Sequence, residues 1–208
     1  MASALKTPIF LLLVLVSAIS ARAQEPPTIE VSNVRFDRTG DDWLVATVEI
    51  TPDRNPLPDA RDRDFVDDVE LTLSLCYEVD NQPEGQPPFT YYRSSVRIVS
   101  MEHSKRYTNY FFLPSVLRDR DELKTDPFAW MIEMKVSGVS VPMAIDQAGG
   151  QVVKGAKGYG EFLNHVGANA PQNDGILVPI YLAPDHVVNS FRIRSSEIPA
   201  FYRFEPKN

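Results

Sequence analysis

The sequence predicts a mainly β protein, a sandwich of two antiparallel sheets. Apolar and polar residues alternate with period two over most of residues 28–141, the pattern of strands that lay one face on a core. Turn residues break that stretch into about seven short runs, the number a sandwich needs. Proline is abundant at 17 residues, which favours many short elements over long helices. A closed barrel is the rival arrangement of the same strands.

The elements follow in order. Ile29 and Val31 alternate with polar neighbours, as do Val34 and Phe36, but the two pairs are out of step. The change of parity at Ser32-Asn33 predicts a β-bulge, or a strand that changes sheets. Thr39-Gly40-Asp41-Asp42 is a turn, and Trp43 opens the next strand. Leu44, Ala46, Val48 and Ile50 form its inner face; Val45, Thr47 and Glu49 form the other. Pro52, Pro56 and Pro58 make residues 51–64 a loop. Val69, Leu71, Leu73, Leu75 and Tyr77 then share one face, with Glu70, Thr72, Ser74 and Cys76 on the other. One buried and one largely wet face is expected there. A Pro/Gly turn at 81–88 leads to strands at 90–100 and 106–113, placed to pair as a hairpin across Glu102-His103-Ser104-Lys105.

Residues 115–123 read as one or two helical turns opened by Pro114 or Ser115. Phe128, Trp130, Ile132, Met134 and Val136 alternate again, and Ser137-Gly138 turns the chain into a strand at 139–143. Five glycines between positions 147 and 160 predict a mobile loop or surface crossing. A short helix is expected at 159–166. The remainder carries Pro179, Pro184, Pro199 and Pro206 and reads as a partly ordered tail. The expected organisation is a sandwich domain over 24–145 and a Gly/Pro-rich, irregular C-terminal extension over 146–208, packed on or beside it.

Residues 1–23 have a different character. Lys6 precedes an apolar block from Ile9 to about Ile19, and Ala21-Arg22-Ala23 gives the small-x-small pattern of a cleavage site. This is the form of a secretory signal peptide. The block is shorter than the roughly 18 residues of a spanning helix, although a retained anchor is the other reading. Cleavage after Ala23 would leave a soluble exported chain with no membrane span.

The chain is acidic, with a formal charge of −7. Loss of Lys6 and Arg22 with the signal makes it more so. Such a chain is repelled by phosphate backbones, which argues against nucleic acid as a partner. The single cysteine, Cys76, cannot form an internal disulfide. On a strand beside Glu70 and Glu78 it reads as a buried, inert thiol rather than a nucleophile.

Catalytic or metal-binding patterns are weak. His103, His165 and His186 fall on separate turns or loops without metal-ligand spacing. No Gly-x-Ser-x-Gly elbow occurs. Gly155-Ala156-Lys157-Gly158 lacks the Gly-Lys-Ser/Thr of a phosphate loop. Asp59 to Asp64, with Asp67 and Asp68, could chelate a cation, but Arg61 and Arg63 interleave and form local ion pairs instead. Arg118-Asp119-Arg120-Asp121 has the same character. No enzymatic activity, cofactor or metal is expected. An enzyme site in the Gly-rich loop, using His165 or Glu161, is the least favoured reading.

Aromatics remain. Tyr91, Tyr92, Tyr107, Tyr110, Phe111 and Phe112 crowd two neighbouring strands, and adjacent strand residues face opposite ways. One of each pair must leave the core. Tyr91, Tyr92, Tyr110 and Phe112 are therefore the candidate interaction surface, for a protein or, as the alternative, for stacking on a glycan. The competing reading is cross-strand pairing of these rings beneath the C-terminal tail.

The signal, Ile29-Glu30-Val31-Ser32-Asn33-Val34-Arg35-Phe36, Trp43-Leu44 with Val48-Glu49-Ile50, residues 65–73, Tyr91-Tyr92-Arg93, Phe112-Leu113-Pro114 and Asn173-Asp174-Gly175-Ile176-Leu177 follow in a telling order. In this order the chain resembles the small secreted, immunoglobulin-like proteins linked to type IV pilus gene clusters in Verrucomicrobia. The resemblance implies an immunoglobulin-like β-sandwich, a pilus-associated role and protein partners in the cell envelope or pilus. It brings no catalytic residues. The leader lacks the prepilin methylation motif, so an accessory protein fits better than a major pilin subunit.

Overall fold

The structure is a computed structural model that describes residues 28–79, 88–142, 144–152 and 154–203. The expected signal peptide and the Pro/Gly turn at 81–87 lie outside the described residues. The strands are β1 (Ile29–Arg38), β2 (Leu44–Pro52), β3 (Phe65–Glu78), β4 (Phe89–Glu102), β5 (Tyr107–Leu113), β6 (Ala129–Val136), β7 (Val139–Ser140), β8 (Ala148–Gly150) and β9 (Val178–Pro179). Among the described residues three α-helices join them, α1 (Ser115–Arg120), α2 (Ala156–Asn169) and α3 (Asp185–Asn189), with short 3-10 turns between.

Two antiparallel sheets form. One runs β1-β2-β5-β9; the other runs β4-β3-β6-β7, with β8 on the free end of β6. A mainly β sandwich is thus the fold, and its order is informative. The set β1-β2-β5 facing β4-β3-β6-β7 is the A-B-E facing C′-C-F-G of immunoglobulin-like sandwiches, with β9 in the edge position of strand D.

The bulge expected at Ser32 is present. Pairing steps from Val31↔Ile50 to Asn33↔Glu49, so Ser32 is the extra residue. Its hydroxyl donates to the Glu49 carbonyl at 3.3 Å. The extra residue resets the alternation, which lets Ile29, Val31, Val34 and Phe36 all pack toward the same core. That core lies between the sheets and takes Leu44, Val48 and Ile50 from β2, Leu71, Leu73 and Leu75 from β3, Phe111 from β5, and Ile132 and Met134 from β6.

Three expectations change. The strands at 89–102 and 107–113 do not pair as a hairpin: β4 joins β3, and β5 joins β2. The link between them crosses from one sheet to the other. All seven residues of β5 are buried, so it needs a central position between β2 and β9. Second, the outer face of β3 is not wet. Thr72, Ser74 and Cys76 are buried, because α2 lies over that face. Third, the Gly-rich stretch contains a strand and the start of a helix. Trp130 pairs with Gly149 and Ala129 with Gly150. A Cβ on Gly149 would come within 2.5 Å of the Trp130 ring, so glycine here admits the indole.

One core residue is misfit. Asn109 sits on the inner face of β5, fully buried, and neither amide atom has a hydrogen-bond partner among the described residues. A buried unpaired amide costs about 1–3 kcal/mol. Replacement of Asn109 by leucine is therefore expected to raise stability by up to that amount, read as a higher urea midpoint with an unchanged slope.

Candidate functional site

The four aromatic candidates do not form a surface. Tyr92 is 1% exposed and points into the sandwich core, edge-on to Tyr77 at 6.2 Å. Tyr110 and Phe112 do project from the outer face of the β1-β2-β5 sheet, yet they are 2% and 0% exposed. The chain beyond β9 is laid across them. Val187 of α3 joins Val45, Tyr110 and Phe112 in a second cluster, packed by Val178, Ile180, Phe191, Ile193 and Ile198. The Tyr110 hydroxyl accepts from the Arg194 backbone N–H at 3.2 Å. Tyr91 is half-buried on the opposite sheet, stacked parallel on His165 of α2 at 6.4 Å. The exposed aromatic faces that partner docking or sugar stacking would use are therefore absent at these four positions. The physical reason is that the core takes Tyr92, the segment after β9 covers Tyr110 and Phe112, and α2 half-covers Tyr91.

α2 supplies the other sheath. Phe162, Val166 and Ala170 recur at helical spacing and pack on Cys76, Ala129, Met131, Ala148 and Val152. Burial under this helix pushes the Cys76 thiol up to about 11. It stays protonated at neutral pH, the opposite of a nucleophilic cysteine. Burial likewise raises Tyr91 to about 12 and lifts Tyr77, Tyr92 and Tyr181 above the ordinary tyrosine value. These groups ionise in the unfolded chain from about pH 10 but remain neutral in the folded one. The unfolded state then binds fewer protons, so stability falls as pH rises above 10. A urea series from pH 8 to 11.5 should show a midpoint that begins to fall near pH 9, where the unfolded Cys76 thiol ionises, and declines steeply above pH 10 as the tyrosines follow.

The other sequence candidates stay apart. His103 lies in the turn after β4, its Nδ1 within 3.0 Å of the Ser104 hydroxyl. His165 is on α2 and His186 on α3. Glu161 pairs with Lys157 at 3.8 Å on the exposed side of α2. Asp68 is bound by the Arg97 guanidinium, one bond being 2.8 Å, and that hydrogen bond holds its carboxyl below the ordinary carboxylate range. Arg118 pairs with Asp119 and with Asp42. Among the described residues no three His, Cys, Asp or Glu side chains converge as a metal site would need.

β4 is the end strand of its sheet. A groove of about 810 Å³ runs along β4, with Arg93, Ser94 and Ser95 on one wall. Val166 and Pro171 from the α2 region form a second wall, and Val178 and Tyr181 beside β9 a third. Sequence reading had no signal for this groove, because its walls come from distant parts of the chain.

Taken together, fold and site define an immunoglobulin-like β-sandwich with both outer faces sheathed by its own C-terminal segments. No protein-family model matches the chain, and no curated protein matches it. Among solved structures, a crystal structure from Akkermansia muciniphila, a member of the Verrucomicrobia, is similar at a TM-score of 0.59. The likeness covers 86% of this chain and 94% of that one, at 10% identity. The two share a fold. Among the described residues no helix is long and apolar enough to cross a membrane.

Proposed function

We propose that this is an exported, non-enzymatic β-sandwich protein that acts by contact, as a pilus-associated or cell-envelope component. One observation carries the reading. The fold is shared over 86% of the chain with a protein from the bacterial phylum to which the sequence resemblance points. The acidic charge and the signal-like leader support an exported, contact-making role. So does the location of Cys76, His103, His165 and His186 on separate elements.

Expression of the full chain in a verrucomicrobial host tests this directly. The mature protein should begin at Gln24, leave the cytoplasm, and crosslink to envelope or filament proteins in sheared surface fractions. Retention of the protein in the cytoplasm with Met1 intact would overturn it. So would turnover of a hydrolase substrate that is lost on changing Glu161 or His165.

A further inference from the structure

After β9 the chain crosses the outer face of the β1-β2-β5 sheet and then returns to β4. The two ends of that excursion meet. The rings of Tyr181 and Phe201 lie 5.2 Å apart, and both pack against the sandwich core. The Val99 N–H donates to the Ala200 carbonyl at 2.8 Å, and the Tyr202 N–H donates to the Arg97 carbonyl at 2.8 Å. On the outgoing side the Ala183 N–H donates to the Pro179 carbonyl at 3.1 Å, and Pro179 is itself paired with Phe111. Residues 182–198 therefore form a loop closed at its neck, of the Ω type.

Neck and loop are held differently. Within residues 182–198 only Val187 is buried. The helix over the opposite sheet, by contrast, sinks both Phe162 and Val166 into its cluster. Polar ties do much of the remaining work. The Gly40 N–H donates to the Ser190 carbonyl at 3.3 Å, the Arg194 N–H donates to the Tyr110 hydroxyl at 3.2 Å, and the Thr108 hydroxyl donates to the Glu197 carboxylate at 2.9 Å. Thr47 lies opposite Tyr110 and is buried, yet its hydroxyl has no hydrogen-bond partner among the described residues. The closed state carries that cost. A segment with so little apolar burial opens at a lower free energy than the core beneath it.

We infer that residues 182–198 are a hinged flap. The flap opens as a unit about the Tyr181–Phe201 neck while both sheets stay folded, and it uncovers Val45, Tyr110 and Phe112. The neck acts as the hinge because its contacts reach the core. The loop is what releases, because one buried side chain and a few polar bonds hold it down.

Thiol labelling tests the opening. In a Cys76→Ala background, Val45→Cys places the only cysteine beneath the flap. Without urea it should react at least about a hundredfold faster than global unfolding allows, with little dependence on urea below the midpoint. Reaction only at the global rate would overturn the inference. A staple tests the hinge and leaves the covered face intact. A Cβ on Gly40 would lie 3.6 Å from the Ser190 Cβ, within disulfide range. In the chain carrying Gly40→Cys, Ser190→Cys and Cys76→Ala, exchange of the Arg194 N–H is compared before and after oxidation. In the reduced form it should exchange faster than the amides of β3, and the closed staple should slow it at least about tenfold. An Arg194 amide that exchanges together with β3 in the reduced form, or one that the staple leaves unchanged, would overturn the flap.

Discussion

Replacing Phe112 by alanine is expected to lower stability by about 3–5 kcal/mol, the cost of deleting a fully buried aromatic and leaving a cavity. Phe112 pairs with Val45 on one side and Val178 on the other. Its ring is sealed by Val187 and the segment that follows. Were that sheet face open to solvent, the same substitution would fall within about 0.5 kcal/mol of neutral. The two cases differ by a shift of roughly 2 M in urea midpoint for a slope of about 2 kcal/mol per molar. A small shift would mean that the C-terminal segment does not cover the sheet. The effect is large against a total stability of about 5–15 kcal/mol.

Gly150→Ala is the second large effect, expected at roughly 2–4 kcal/mol. Two costs combine. Gly150 has φ +66°, a conformation that L side chains rarely adopt. A Cβ there would also lie 2.3 Å from the Phe128 carbonyl oxygen and 2.9 Å from the Ala129 Cα, both backbone atoms that cannot swing away. The strain acts on the β8 ladder to β6, and Ala148 of that ladder belongs to the cluster under α2. Loosening of α2 should therefore accompany the loss, seen as exposure of the Cys76 thiol to a labelling reagent. Gly160→Ala serves as the contrast. Nothing lies within 4 Å of its would-be Cβ inside α2, so helix propensity should make it stabilising by about 0.5–1 kcal/mol. Opposite signs for two glycines so close in sequence would locate the constraint in the β8 approach.

Much of the sandwich was legible along the chain. The alternation of Leu44, Ala46, Val48 and Ile50, and of Leu71, Leu73 and Leu75, marks inner faces that the structure buries. The parity break at Ser32 marks a real bulge. The hairpin across residues 102–105 failed because short sequence distance was taken for pairing. Fully buried β5 reached a two-sided position elsewhere, between β2 and β9.

The candidate site was the least legible part. Tyr91, Tyr92, Tyr110 and Phe112 were correctly placed on strands, but exposure is not a property of a strand. The recurrence of Tyr159, Phe162, Leu163, Val166 and Ala170 was the available sign that a helix would cover one sheet. No comparable period marks Val187, Phe191, Ile193 and Ile198, which cover the other from irregular chain.

Local side-chain order thus determined the strands, their inward faces, the bulge and the acidic surface charge, because period, turn propensity and charge are properties of neighbouring residues. Tertiary structure alone decided which strand meets which, how both sheets are sheathed, and where a groove forms beside Arg93 and Ser95. Those outcomes depend on contacts such as Ile98 with Phe201 and Phe112 with Val178. Their partners lie far apart along the chain, and no local pattern encodes which distant segment completes a given surface.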